Sequence, residues 1–104
     1  MSSILGLLVG HKIQRVEKLY DYLQLWFDNG IMLNIFNIFT MIGFESDAVS
    51  LLAGCEVCAI NESDEGVEFV FLGGMLLRVG LQNNDYQGPE AIEFIGKGGE
   101  RVIW

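Results

Sequence analysis

Residues 56–71 read Glu-Val-Cys-Ala-Ile-Asn-Glu-Ser-Asp-Glu-Gly-Val-Glu-Phe-Val-Phe. The run Asn61-Glu62-Ser63-Asp64-Glu65-Gly66 at its centre is a turn that would break any helix, so the apolar residues on either side belong to two strands. The same conclusion carries back to residues 12–27 through a repeat. Sliding the chain by 44 residues lays Leu8–Phe36 over Leu52–Gly80 without a gap. Leu8, Gly10, Phe27, Gly30 and Leu33 then meet identical residues at Leu52, Gly54, Phe71, Gly74 and Leu77. Conservative partners fall between them, such as Ile13 with Val57, Val16 with Ile60, Asp21 with Glu65 and Leu25 with Phe69. Taken alone, Ile13, Val16, Leu19, Tyr20, Leu23 and Phe27 fit a helical stripe almost as well as a strand pattern. Because equivalent segments share a structure, the turn in the second copy makes both copies strands.

Each copy therefore predicts a three-strand meander. First strands are expected at Lys12–Lys18 and Glu56–Asn61, second strands at Tyr22–Phe27 and Val67–Leu72, and third strands at Ile31–Phe36 and Met75–Leu81. Asn29-Gly30 and Gly73-Gly74 supply the positive φ values of two-residue hairpin turns. Alternation assigns Leu23, Leu25, Phe27, Ile31, Leu33 and Ile35 to the core, with Val67, Phe69, Phe71, Met75, Leu77 and Val79 as their equivalents. Gln24, Asn34, Glu68 and Arg78 point away. Ile13 and Val16 are three apart, which predicts a bulge in the first strand, repeated at Val57 and Ile60. Ser46–Gly54 reads as one short helix, started by Ser46 or Asp47 and stopped by Gly54. Gln82–Pro89 is a polar loop, and a last hairpin, Ala91–Ile95 with Glu100–Trp104, closes around Gly96-Lys97-Gly98-Gly99. The expected fold is mainly β: one domain over residues 1–104, an antiparallel sandwich or flattened barrel of two repeated meanders plus a C-terminal hairpin and one short helix.

The chain has 104 residues, of which 51% are apolar, enough for a packed core. Fourteen acids against six bases leave a formal net charge of −8. That excess disfavours direct nucleic-acid binding, which rewards Lys and Arg, and suits a basic protein partner. It also serves plain solubility. The longest apolar stretches, Ile4–Gly10 and Ile35–Phe44, are too short to cross a membrane, and the amino terminus has no basic residue before its apolar run, as a signal peptide would. A cytoplasmic location is expected.

Reactive chemistry finds little support in the residues. The single histidine, His11, falls where the second copy has Cys55, so the position holds no shared function. Cys55-Glu56-Val57-Cys58 has the C-x-x-C spacing, but on a strand residues three apart face opposite ways, and Cys58 reads as core filler. One histidine and two cysteines do not supply a zinc set, and Asn61–Gly66 is too short for an EF-hand loop. Neither a cofactor nor an enzymatic activity is expected. Interaction chemistry remains: Asp21 and Glu65 occupy equivalent turns, Glu62 and Asp64 stand beside the latter, and Asp85 and Glu90 flank Tyr86 in the last long loop. Trp26, Met32, Phe36, Val70 and Leu76 are apolar residues on outward faces, to be covered by the helix and the Ile38–Phe44 segment or by another subunit.

Leu-Val-Gly-His-Lys-Ile (8–13), the run from Leu23 to Asn37 and the ending Gly-Pro-Glu-Ala-Ile-Glu-Phe (88–94) with Val-Ile-Trp (102–104) resemble the small β immunity proteins of contact-dependent growth inhibition and related polymorphic toxin systems. The likeness spans most of the chain but rests on structural motifs, so it transfers no binding residue. It implies a role: binding the toxin C-terminal domain of the same locus in the bacterial cytoplasm and blocking its active site. Asp21, Glu62, Asp64, Glu65, Asp85, Tyr86 and Glu90 are the residues expected to meet that partner. The competing class is a self-associating or small-ligand-binding β module, including a homodimer, with no toxin partner.

Overall fold

The computed structural model describes residues 3–104; Met1 and Ser2, the first residues of the amino-terminal run read above, lie outside the described residues. Among the described residues, nine strands form two antiparallel sheets: β1 (Ile13–Lys18), β2 (Leu23–Phe27), β3 (Met32–Ile35), β4 (Phe39–Ile42), β5 (Val57–Glu62), β6 (Gly66–Phe71), β7 (Leu76–Gly80), β8 (Ile92–Ile95) and β9 (Arg101–Ile103). One sheet runs β1-β2-β3-β8-β9 and the other β4-β7-β6-β5. The predicted meanders are β1-β2-β3 and β5-β6-β7, and no barrel closes. Both expected bulges are present, as register shifts between Ile13 and Arg15 and between Val57 and Ala59.

The chain changes sheet after each meander. β4 leaves the first meander to pair with β7, and β8 leaves the second to pair with β3, so each third strand takes its outer neighbour from the other half. The halves also touch at the amino ends of β1 and β5. Gly10 and Gly54 donate their N–H groups to the carbonyls of Val57 and Ile13, both at 2.7 Å, and Ile13 and Val57 donate to Cys55 and His11 at 2.9 and 3.0 Å. Each bond in those pairs becomes the other when 44 is added to or subtracted from its residue numbers. Lys12 and Glu56, equivalent positions, bridge each other. A pseudo-two-fold axis therefore passes between them.

The core lies between the sheets. Leu23, Leu25, Phe27, Leu33, Ile35 and Phe94 face Val67, Phe69, Phe71, Leu77 and Val79, all essentially inaccessible, and Leu5, Leu8 and Leu52 close the end nearest the bridge. At roughly 25 cal/mol per Å² of apolar surface, this burial is the main force holding the sheets together. Met75, assigned to the core, is only half-buried.

Several expectations change. Ser46–Gly54 holds only a 3-10 turn, Val49–Leu52, with Ala48 at its N-cap and no side-chain cap; the Ser46 hydroxyl instead accepts from Ala48 N–H at 3.2 Å. The N–H of Gly54 is committed to Ile13 and its φ is +87°, which ends any helix at that point. A matching 3-10 helix, Ile4–Leu8, was not expected, and Ser3 caps it. The hairpin loops have three residues rather than two. Phe27 and Phe71 donate to Ile31 and Met75 at 2.8 Å, and in the first loop Gly30 alone has positive φ. The Ile38–Phe44 segment covers no outward face, because Phe39–Ile42 is the edge strand β4. Trp26, Met32, Phe36, Val70 and Leu76 stay half-buried on the outer faces; Arg15 lies 4.5 Å over the Trp26 ring, and Tyr22 packs 5.3 Å from Phe36.

Asn34 was expected to be solvated and is only 6% exposed. Its amide donates to the Glu93 carboxylate at 2.8 Å, and Arg101 pairs with the same carboxylate from β9. The Asn34 hydrogen bond, then Arg101, hold the Glu93 carboxyl below its usual range against the opposing effect of burial. A carboxyl with a lowered folded pKa adds stability that is complete above the ordinary carboxylate range and fades as pH falls through the lowered value. Glu93→Gln is expected to cost about 2 kcal/mol at pH 7 and to flatten the loss of stability below about pH 5. Urea denaturation at neutral and acid pH measures both; an undiminished acid dependence in the variant would remove Glu93 as its source.

Candidate functional site

Across the outer face of the four-stranded sheet, the register aligns Asn61, Glu68, Arg78 and Thr40 in one row. Glu68 and Arg78 form a cross-strand ion pair, with Arg78 Nε donating at 2.8 Å. Alongside this row, whose four residues all line it, the sheet dips to a hollow of about 430 Å³ that also takes in Glu62, Glu65, Asp85 and Ile38. Two glycines make its floor, because Gly66 and Gly80 pair across β6 and β7. A Cβ on Gly66 would come within 2.5 Å of the Val79 carbonyl, and one on Gly80 would meet the Asp85 carboxylate. Glycine at both positions lets strand and loop approach closely enough for Asp85 to lie against the sheet.

Local hydrogen bonds place the acids. In the β5–β6 turn, Ser63 N–H donates to Gly66 C=O at 2.9 Å, and the Ser63 hydroxyl accepts from Glu65 N–H at 3.2 Å. Leu81 N–H donates to the Glu65 carbonyl at 3.0 Å and ties this turn to the end of β7. Asn83–Asp85 is a single 3-10 turn in which Gln82 and Asp85 cap each other, so the Asp85 carboxylate accepts from Gln82 N–H at 3.0 Å. Glu62 accepts from the Trp104 indole N–H at 3.2 Å, joining the end of β9 to the end of β5.

The charge is segregated. Residues 39–86, which build this sheet and its loops, hold eight acids (Glu45, Asp47, Glu56, Glu62, Asp64, Glu65, Glu68, Asp85) and one base, Arg78, for a net −7. The remaining residues hold six acids and five bases, for a net −1. Since Arg78 is already paired with Glu68, the depression offers carboxylates to ammonium and guanidinium groups.

Glu62, Glu65 and Asp85 of the sequence-derived set thus come together at one depression. Asp64 lines the neighbouring hollow of about 450 Å³ with Gln82, Asn83 and Asn84. Asp21 and Glu90 line a different hollow, of about 260 Å³, with Phe36, Gln87, Gly88 and Pro89. The Asp21 and Glu65 turns lie at the same end of the sandwich, where the chain crosses between sheets. Tyr86 is half-buried and packs on the core. Glu68 joins the site although the sequence marked it only as outward-facing; its cross-strand partner Arg78 was the available signal.

Comparison with protein-family models, curated proteins and solved structures finds no match for this chain.

Elsewhere the reactive residues stand apart. His11 Nδ1 lies 2.8 Å from the Asp28 carboxylate, and this hydrogen bond is the chief cause of the lowered Asp28 pKa. Cys55 and Leu72 replace the pair in the second half. Cys55 and Cys58 are both free thiols; burial pushes the Cys55 thiol up, opposite to the direction that activates a nucleophile. Cys58, expected as core filler, is exposed, because the bulge between Val57 and Ala59 turns it outward. Among the described residues, no group of three His, Cys, Asp or Glu is placed to hold a metal ion, and no helix is long and apolar enough to cross a membrane.

Proposed function

We propose that this chain is a cytoplasmic immunity protein that binds the toxin domain encoded at its own locus, a basic nuclease, and occludes that domain's active site. The observation carrying this reading is the segregation of net −7 onto one sheet and its loops, with Glu62, Glu65, Glu68 and Asp85 around the depression. A nuclease gathers Lys and Arg where the phosphate backbone lies, and an array of carboxylates on a rigid sheet meets those cations as phosphates would. Such a field also speeds encounter by about 10–10³-fold. Five of the six bases lie outside residues 39–86, three of them (Arg15, Lys18 and Arg101) in strands of the other sheet.

Co-expression with the protein encoded immediately upstream tests the proposal. The expected result is copurification of the two chains and restored growth of cells that the upstream protein alone arrests. Arrested growth with no copurified complex would overturn it.

A further inference from the structure

We propose that the partner completes the four-stranded sheet, adding an extended basic segment along β4 in the lane that β9 fills in the other sheet. The proposal rests on the reading above, that the partner is a basic protein. Under the pseudo-two-fold relation β4 corresponds to β8. Thr40, Met41 and Ile42 pair with Arg78, Leu77 and Leu76 just as Glu93, Phe94 and Ile95 pair with Asn34, Leu33 and Met32, residues that differ from the former by 44. β8 has a further neighbour, with Val102 opposite Phe94, and among the described residues β4 has none. The consequence shows in burial: Phe94 is fully buried, while Met41 at the equivalent place is half-exposed.

The backbone of β4 is aimed for such a strand. Gly80 N–H donates to Ile38 C=O at 3.1 Å, so antiparallel alternation turns Thr40 and Ile42 toward β7 and points the N–H and C=O of Phe39 and Met41 outward. Among the described residues, no other backbone group bonds to them. In the other sheet the carbonyl equivalent to that of Phe39 belongs to Ile92, and it accepts from Trp104 N–H at 2.9 Å. The vacant lane therefore has a filled counterpart in the same molecule.

The other edges are guarded. β1 has Arg15, Glu17 and Lys18 with a bulge, β5 has Glu62 with a bulge, and β9 has Arg101. Phe39-Thr40-Met41-Ile42 has no charge, proline or bulge, which is the kind of edge that accepts another strand. Charge selects the occupant. Pairing β4 with β4 of a second copy would set two segments of net −7 side by side, whereas a basic strand would run beside Thr40 and Ile38 toward Asp85 and Glu65. β9 shows the pattern such a strand needs: aliphatic Val102 stands opposite Phe94, the equivalent of Met41, with Arg101 and Ile103 on either side of it.

A short peptide alternating lysine and valine is the probe, read by amide hydrogen exchange at Phe39 and Met41. Saturating peptide is expected to slow exchange at both amides at least about tenfold. Met41→Pro removes an N–H that the β4–β7 ladder does not use, so the fold is expected to persist and the effect to vanish; Met41→Lys, which puts a cation on the edge, is expected to weaken it as well. Unchanged exchange at saturation would overturn the proposal. So would protection of these amides in the free protein that grows with its concentration, which assigns the lane to a second copy. If the upstream protein is captured while these amides stay unprotected, the docking mode fails and the immunity reading stands. If the peptide protects them but no upstream partner is captured, the immunity reading fails and the strand-accepting edge stands.

Discussion

Replacing Glu62, Asp64 and Glu65 together by lysine is expected to lower the association rate with the basic partner by one to two orders of magnitude at low salt, without unfolding the protein. Glu62 ends β5, Asp64 and Glu65 lie in the turn that follows, and none of the three packs in the core. Reversal changes the chain by six charges, taking its formal net charge from −8 to about −2 and nearly neutralising the four-stranded half. Encounter rates respond to the field of the whole face, so the effect falls on association more than on dissociation. Its salt dependence must shrink with it, because screening acts on the same field. Among the described residues, the one side-chain hydrogen bond lost is the exposed bond from the Trp104 indole to Glu62, so thermal stability is expected to stay nearly unchanged. Stopped-flow association at several ionic strengths decides the matter; equal rates for variant and parent would move the interface elsewhere.

The second large effect is in the core. Phe94→Ala is expected to cost about 3–5 kcal/mol, a large share of the roughly 5–15 kcal/mol that holds a domain of this size folded. Phe94 is fully enclosed, with Leu33 on one side and Val102 on the other, so its loss leaves a cavity that two hydrogen-bonded neighbours cannot fill. Met41→Ala, at the equivalent position of the other half, is expected to cost only about 1 kcal/mol because one side of Met41 already faces the vacant lane. Urea denaturation of both variants measures the asymmetry. Equal losses would show that β4 is covered in solution as fully as β8.

The meanders were legible because three signals agreed. The turn at Asn61–Gly66 ruled out a helix, the glycines recurred at the same offset, and alternation ran through Leu23–Phe27 and Val67–Phe71. The sheet exchange was not legible. Phe39–Ile42 has too few residues for a period, and its partner β7 is determined by tertiary packing that no local pattern encodes. The helix at Ser46–Gly54 failed for a related reason: capping residues and a glycine stop were present, but the N–H of Gly54 is drawn across the pseudo-axis to Ile13. At the site, the acids of the β5–β6 turn and Asp85 could be named from sequence, yet their convergence depends on Gly66 pairing with Gly80, which only the strand register reveals. Asn34 misled because alternation gives the face of a residue and not what covers it; Glu93 and Arg101 arrive from strands about sixty residues further along the chain.

Carboxylate labelling of the purified complex, mapped by mass spectrometry, addresses the acidic sheet most directly. Shielding of Glu62, Asp64, Glu65 and Asp85 on binding, with Asp28 and Glu100 labelled as in the free protein, is the predicted pattern. Full labelling of those four in a stable complex would contradict it and place the partner on another surface.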